Sequence, residues 1–198
     1  MQPSRDSIHG YDYDTAAVGK SPVSLKELRE LEETVTLTAE DQRYLELAGR
    51  VFEGQEEALV AVWRAVIASQ PHLAKWFLGP DGQPDEVYKA AVKKRFVQWV
   101  LDTCRRPRDQ AWLDYQEEIA LRHTPAKKNL TDGAQTAPIV PLRYLIAFAA
   151  VITTTVRPFL CKQSHGVEEV GRMEQAWNKA VMLQIALWSR PYTLSRQW

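Results

Sequence analysis

Net charge, paired cysteines and long apolar runs are all missing from this 198-residue chain, and each absence removes a class of function. Its 25 lysines and arginines balance 25 aspartates and glutamates, so no general attraction draws it to nucleic acid or anionic membranes. Its two cysteines, Cys104 and Cys161, lie in no CxxC or cysteine/histidine array, which argues against a disulfide framework or a zinc site. Reduced, buried thiols in a cytoplasmic protein are the expectation. The most apolar run, Tyr144 to Val156, falls short of the roughly 20 residues that cross a bilayer. The opening "MQPSRDSIHGYDYD" lacks the apolar core of a signal peptide. Neither export nor membrane insertion is therefore expected. GxSxG, P-loop, GxGxxG and HExxH motifs are absent too. The four histidines, His9, His72, His123 and His165, share no metal-ligand spacing, so any histidine chemistry rests on a single imidazole.

What remains is helical patterning in a chain long enough to bury about 70% of its unfolded surface as one domain. Residues 1–23 hold no sustained period and read as an arm. Ser24-Leu25-Lys26-Glu27 and Thr38-Ala39-Glu40-Asp41 have the form of capping boxes, which predicts helix starts near 25 and 39. From 51 to 69, Leu59, Val62, Trp63, Val66 and Ile67 follow the template of one buried helical face. Pro84-Asp85-Glu86 opens a helix faced by Tyr88, Val92, Phe96, Trp99 and Thr103. A helix over 109–123 places Gln116, Ile119 and His123 within about 40° of Trp112 at 100° per residue. Pro141 then opens an apolar helix that must be covered on more than one side. A last helix carries Val170, Met173, Trp177, Ala180, Val181, Gln184, Leu187 and Trp188 on one face. No alternating strand or repeat interrupts this pattern, so the expectation is one all-α domain of seven or eight helices.

Two residues invite a functional reading. A lone histidine on an apolar face suits the axial site of a haem, yet histidine near a helix C-terminus also interacts favourably with the dipole and needs no further role. Both readings of His123 stay open on the pattern alone. Arg64 lies in "LVAVWRAVIA", where burial of an unpaired cation is costly; it either snorkels to water or faces a ligand. Trp63, Phe96 and Phe148 face the same test, since aromatics at helical spacing are more often core than cofactor wall.

Collinear matches sharpen these alternatives. "GYDY" at 10–13, "WVLDTC" at 99–104, "QAWLDYQ" at 110–116, "LRH" at 121–123, "KKN" at 127–129, "LRYLIAF" at 142–148, "RPFL" at 157–160 and "ALWSRPY" at 186–192 resemble the protoglobins, single-domain haem proteins of the globin superfamily. The resemblance implies a globin fold, a 3-over-3 helical sandwich, over 24–198 with an extra N-terminal helix and arm. It implies haem b with His123 as proximal ligand to a five-coordinate iron. Trp63 and Phe96 then line the distal side, Leu145, Phe148 and Ile152 pack near the haem, and Arg95 meets a propionate. It also implies a homodimer through the last two long helices, which would explain the apolar 142–160 segment.

Departures from the family pattern concern the pocket. Arg64 stands where protoglobins usually carry a tyrosine, and Ala149-Ala150-Val151 stands where they have an aromatic-tyrosine-proline step, which suggests a straighter helix and a larger pocket. The expected function is reversible binding of O2, CO or NO, as in a gas sensor. The alternatives are peroxide, nitrite or NO turnover assisted by Arg64, a scaffold for carbene transfer, or a helical interaction protein without haem.

Overall fold

The computed structural model describes residues 8–193; the first seven residues of the arm and residues 194–198 of the domain lie outside them. Among the described residues the chain folds into α1 (Leu25–Thr34), α2 (Ala39–Phe52), α3 (Glu56–Ser69), α4 (Pro71–Ala74), α5 (Glu86–Arg105), α6 (Gln110–Leu121), α7 (Leu142–Thr154), α8 (Arg157–Leu160) and α9 (Val167–Ser189). Seven of these have ten or more residues, and α4 and α8 are single turns. The only β pairing among the described residues is an isolated bridge between Leu78 and Pro84, so the fold is all-α, as the resemblance implies.

Helix starts follow local chemistry. Both capping boxes form: Ser24 and Glu27 exchange side-chain and backbone bonds, as do Thr38 and Asp41. Asp85 and Asp109 cap α5 and α6 by accepting from the amides of Tyr88 and Trp112. The helix expected over 51–69 is divided. Its first residues finish α2, and Gly54 at φ 80° turns the chain into α3, a backbone state that glycine adopts without steric cost. The buried face of α3 is accordingly Leu59, Val60 and Trp63, with Val62 left 39% exposed.

The core gathers around α9, which packs on α2, α5, α6, α7 and α8. All eight residues expected on its inner face are buried. Trp177, fully buried, sits among Phe52, Trp63 and Trp99 with ring centroids 5.4, 6.3 and 5.6 Å away. The indole N–H groups of Trp63, Trp99, Trp177 and Trp188 donate to Thr155 Oγ1, Gln184 Oε1, the Ile152 carbonyl and Gln116 Oε1. These bonds meet the requirement that a buried indole find an acceptor.

α2 crosses α5 closely at Gly49. A Cβ there would stand 2.8 Å from the Cβ of Cys104, which is fully buried and has no room to retreat. Gly49→Ala is expected to destabilise the fold by about 1 kcal/mol or more in urea unfolding, because overpacking outweighs the helix-propensity gain.

Two expectations need correction. Cys104 is buried, whereas Cys161 follows α8 and is exposed. The apolar stretch extends to Leu142–Leu160, 19 residues with mean hydropathy 1.2, long and apolar enough by length and composition to cross a membrane. It is nevertheless split into helices of 13 and 4 residues. At 1.5 Å per residue α7 spans only about 20 Å of the roughly 30 Å of a hydrocarbon layer.

The described part of the arm is tied down. Tyr11 donates to Asp102 on α5 at 2.6 Å, and Lys20 and the Ser21 amide both reach Asp114 on α6 at 2.8 Å. Arg122 holds the Gly10 carbonyl and Asp12. Residues 8–23 thus lie across α5 and α6, and the Tyr11 ring reaches the interior.

Candidate functional site: a lone imidazole on an aromatic cavity

α6 ends at Leu121, two residues short of the expected span, so His123 stands just past the helix C-terminus. A helix end leaves carbonyls without intrahelical partners. The Arg122 amide takes the Glu118 carbonyl and the His123 amide takes that of Ala120, which leaves the Ile119 carbonyl to the imidazole. Nδ1 lies 2.8 Å from it. A carbonyl can only accept, so Nδ1 carries the proton and Nε2 keeps its lone pair. The cap and the ligand reading of His123 therefore share one hydrogen bond: capping the helix is what sets the tautomer.

The rest of His123 is equally constrained. Its carbonyl accepts from the Val140 amide at 2.9 Å, the Tyr192 hydroxyl that donates to the Val140 carbonyl at 2.6 Å lies 3.1 Å from it, and its ring stacks on Trp188 at 5.8 Å. Burial pushes its pKa below the ordinary histidine value, with repulsion from Lys128 and Arg122 acting in the same direction against the Ile119 bond. The imidazole is thus neutral at pH 7. Nε2 makes no hydrogen bond among the described residues, and His123 lines a cavity of about 240 Å³.

That cavity is enclosed by α3, the α4 region, α5, α6, α7 and α9, with walls mostly apolar and aromatic. Phe96, Leu145, Phe148 and Ile152, all expected at a cofactor, line it together with His123, Arg64 and Arg95. Trp63 does not line it: fully buried, it packs 5.1 Å behind Phe96, which forms the wall at that point. Nor do the alanines enlarge it. α7 runs unbroken through 149–151, but Ala149 is buried in the core and Ala150 is exposed, while Tyr144, Leu145, Phe148 and Ile152 supply the α7 wall.

Charge at the cavity is distributed unevenly. Arg95, expected at a propionate, is committed elsewhere: it holds Asp132 through two bonds of 2.9 and 2.6 Å and the His9 carbonyl at 3.0 Å. Arg122 is balanced by Glu118 and Asp12. Arg64 is half-buried and makes no hydrogen bond or ion pair among the described residues; burial lowers its pKa, and Glu86 only partly offsets this. Lys128 is 4% exposed and meets no carboxylate.

Trp76, Tyr88 and Trp188 are among the site residues that sequence reasoning passes over, and Lys128 is one of two lysines whose role it leaves open between solvent and a haem rim. Lys127 and Lys128 look alike in "KKN", yet Lys127 pairs with Glu118 at 2.6 Å and its neighbour turns inward. No cluster of three or more His, Cys, Asp or Glu among the described residues is arranged to hold a metal ion, so a metal here would arrive within a cofactor. The donor set fits a haem: one neutral imidazole with a free Nε2, an aromatic enclosure and two cations without carboxylate partners. In comparisons with known proteins, the protoglobin family model matches residues 24–198. No curated protein matches the chain.

Proposed function

The chain belongs to the protoglobin family of haem-binding globins, and from that premise we propose that the cavity holds haem b on His123 and serves reversible binding of O2, CO or NO. The observation that carries this reading is the Nδ1 bond to Ile119, which leaves Nε2 of a neutral imidazole free on an aromatic cavity. When bound, the haem supplies an iron with one position open to a diatomic ligand.

The remaining work falls to the protein. Ile119 and Trp188 fix the ring angle of His123, and Val140 with Tyr192 fixes its backbone. Phe96, Trp99, Phe148 and Ile152 give the cavity apolar walls that keep water from the haem, and Trp63 backs Phe96. A homodimer through α7 and α9 is part of the proposal, supported by outward apolar residues on both helices: Ile146 is 50% and Met182 44% exposed. Sedimentation should then give twice the chain mass.

Arg64 favours a second use of the same site. A guanidinium at the cavity without a partner stabilises negative charge on whatever occupies it, the service required in nitrite or peroxide turnover. Arg64→Leu is expected to weaken azide binding to the ferric protein by about tenfold or more, the worth of one charge-assisted hydrogen bond, while CO affinity changes little. Unchanged azide affinity would place the guanidinium outside the ligand pocket.

A further inference from the structure

We propose that Lys128 anchors a carboxylate of the bound tetrapyrrole, the position that the resemblance implies for Arg95. This rests on the reading of the cavity as a haem site. Four cations line the cavity, and pairing separates them. Arg95 and Arg122 are neutralised by Asp132 and by Glu118 with Asp12, so a further carboxylate at either would meet a guanidinium whose charge is already balanced.

Lys128 is different. Its ammonium donates to the Trp76 carbonyl at 3.0 Å and to Thr136 Oγ1 at 2.6 Å, and its third contact, Asn129 Oδ1, is long at 3.4 Å. Asn129 Oδ1 already accepts from Thr136 at 2.9 Å. The ammonium also lies 5.1 Å from the Tyr88 ring centroid, itself on the cavity wall. All these partners are neutral, so a buried ammonium is hydrogen-bonded but electrically uncompensated, with one N–H weakly used. Burial alone draws its pKa down to about 8.

A second observation points the same way. The Trp76 indole N–H is buried with no partner among the described residues, whereas those of Trp63, Trp99, Trp177 and Trp188 all have one. Trp76 lines the same cavity, and its carbonyl holds the Lys128 ammonium. An acceptor-rich anion drawn to the Lys128 ammonium supplies its missing charge, and Trp76, whose indole N–H lacks an acceptor, stands on the same cavity wall. The carboxylate of an otherwise apolar, planar ligand has that chemistry, and it leaves the rest of the ligand to the aromatic walls.

The test compares haem with haem dimethyl ester, which lacks the carboxylate charge, in the wild-type protein, Lys128→Met and Lys128→Gln. Transfer to excess apomyoglobin gives the rate of loss. Wild-type protein should release the ester about tenfold faster than haem, and both variants should lose haem about tenfold faster than wild type while releasing the ester at the wild-type rate. Lys128→Gln keeps a hydrogen-bonding side chain toward Trp76 and Thr136, so it separates charge from loop support. An equal effect of the variants on haem and ester would assign Lys128 to loop support and overturn the proposal alone. A wild-type protein that takes up neither haem nor ester would overturn the haem reading and this proposal together.

Discussion

Replacing His123 by glycine is expected to cost haem retention by about 100-fold or more, since removing even a partner of a metal ligand commonly costs 10–100-fold and here the ligand itself is lost. The protein should still fold, because His123 lies outside the α6 helical span and its ring packs chiefly on Trp188. What goes is the one imidazole that lines the cavity among the described residues. Free imidazole should restore the absorption spectrum of His123→Gly, since it fits the space left and offers the same neutral nitrogen. Rescue is the informative part: a variant that merely misfolded would not respond to imidazole. Ile119 cannot be tested by side-chain substitution, because its carbonyl rather than its side chain holds Nδ1.

The second large effect is on stability. Trp177→Ala is expected to destabilise the fold by about 3–5 kcal/mol, a loss typical of removing a large buried aromatic and a substantial part of a total near 5–15 kcal/mol. Trp177 is fully buried, touches three other aromatic rings and donates to the Ile152 carbonyl. Deleting it leaves a void between α2, α5 and α9 that these rings cannot fill without leaving their own partners. For a chain of this size the loss lowers the unfolding midpoint by about 10 °C. Thermal scans of apo and haem-loaded protein should both show the fall. Val87→Ala, at a position 82% exposed, should change stability by no more than about 0.5 kcal/mol. Because Trp99 packs on Trp177 and also lines the cavity, Trp177→Ala should raise the rate of haem loss as well.

Helix starts at Ser24 and Thr38 are legible in the sequence because a capping box pairs residues three apart, and Pro84-Asp85-Glu86 marks the start of α5. The α2–α3 break is not, since an apolar pattern continues through Val51, Leu59 and Trp63 while Gly54 reverses the chain beneath it. The imidazole is legible as a position and, through the resemblance, as a role; its tautomer depends on which carbonyl the helix end leaves free. Charge is where sequence reasoning fails. Arg95 looks available until Asp132, 37 residues away, is folded against it, and Lys128 reads as either a solvated or a rim charge until Trp76 and Thr136 enclose it. Pairing of that kind is a property of the tertiary structure and leaves no local signal.

The absorption spectrum of the purified protein, taken with haem in ferric, ferrous and CO-bound forms, bears most directly on His123 as the sole protein ligand of the iron. One equivalent of haem should give a Soret band, with a five-coordinate ferrous form that shifts to a six-coordinate spectrum under CO. A protein that stays colourless with haem, or a ferrous form already six-coordinate before CO, would contradict it.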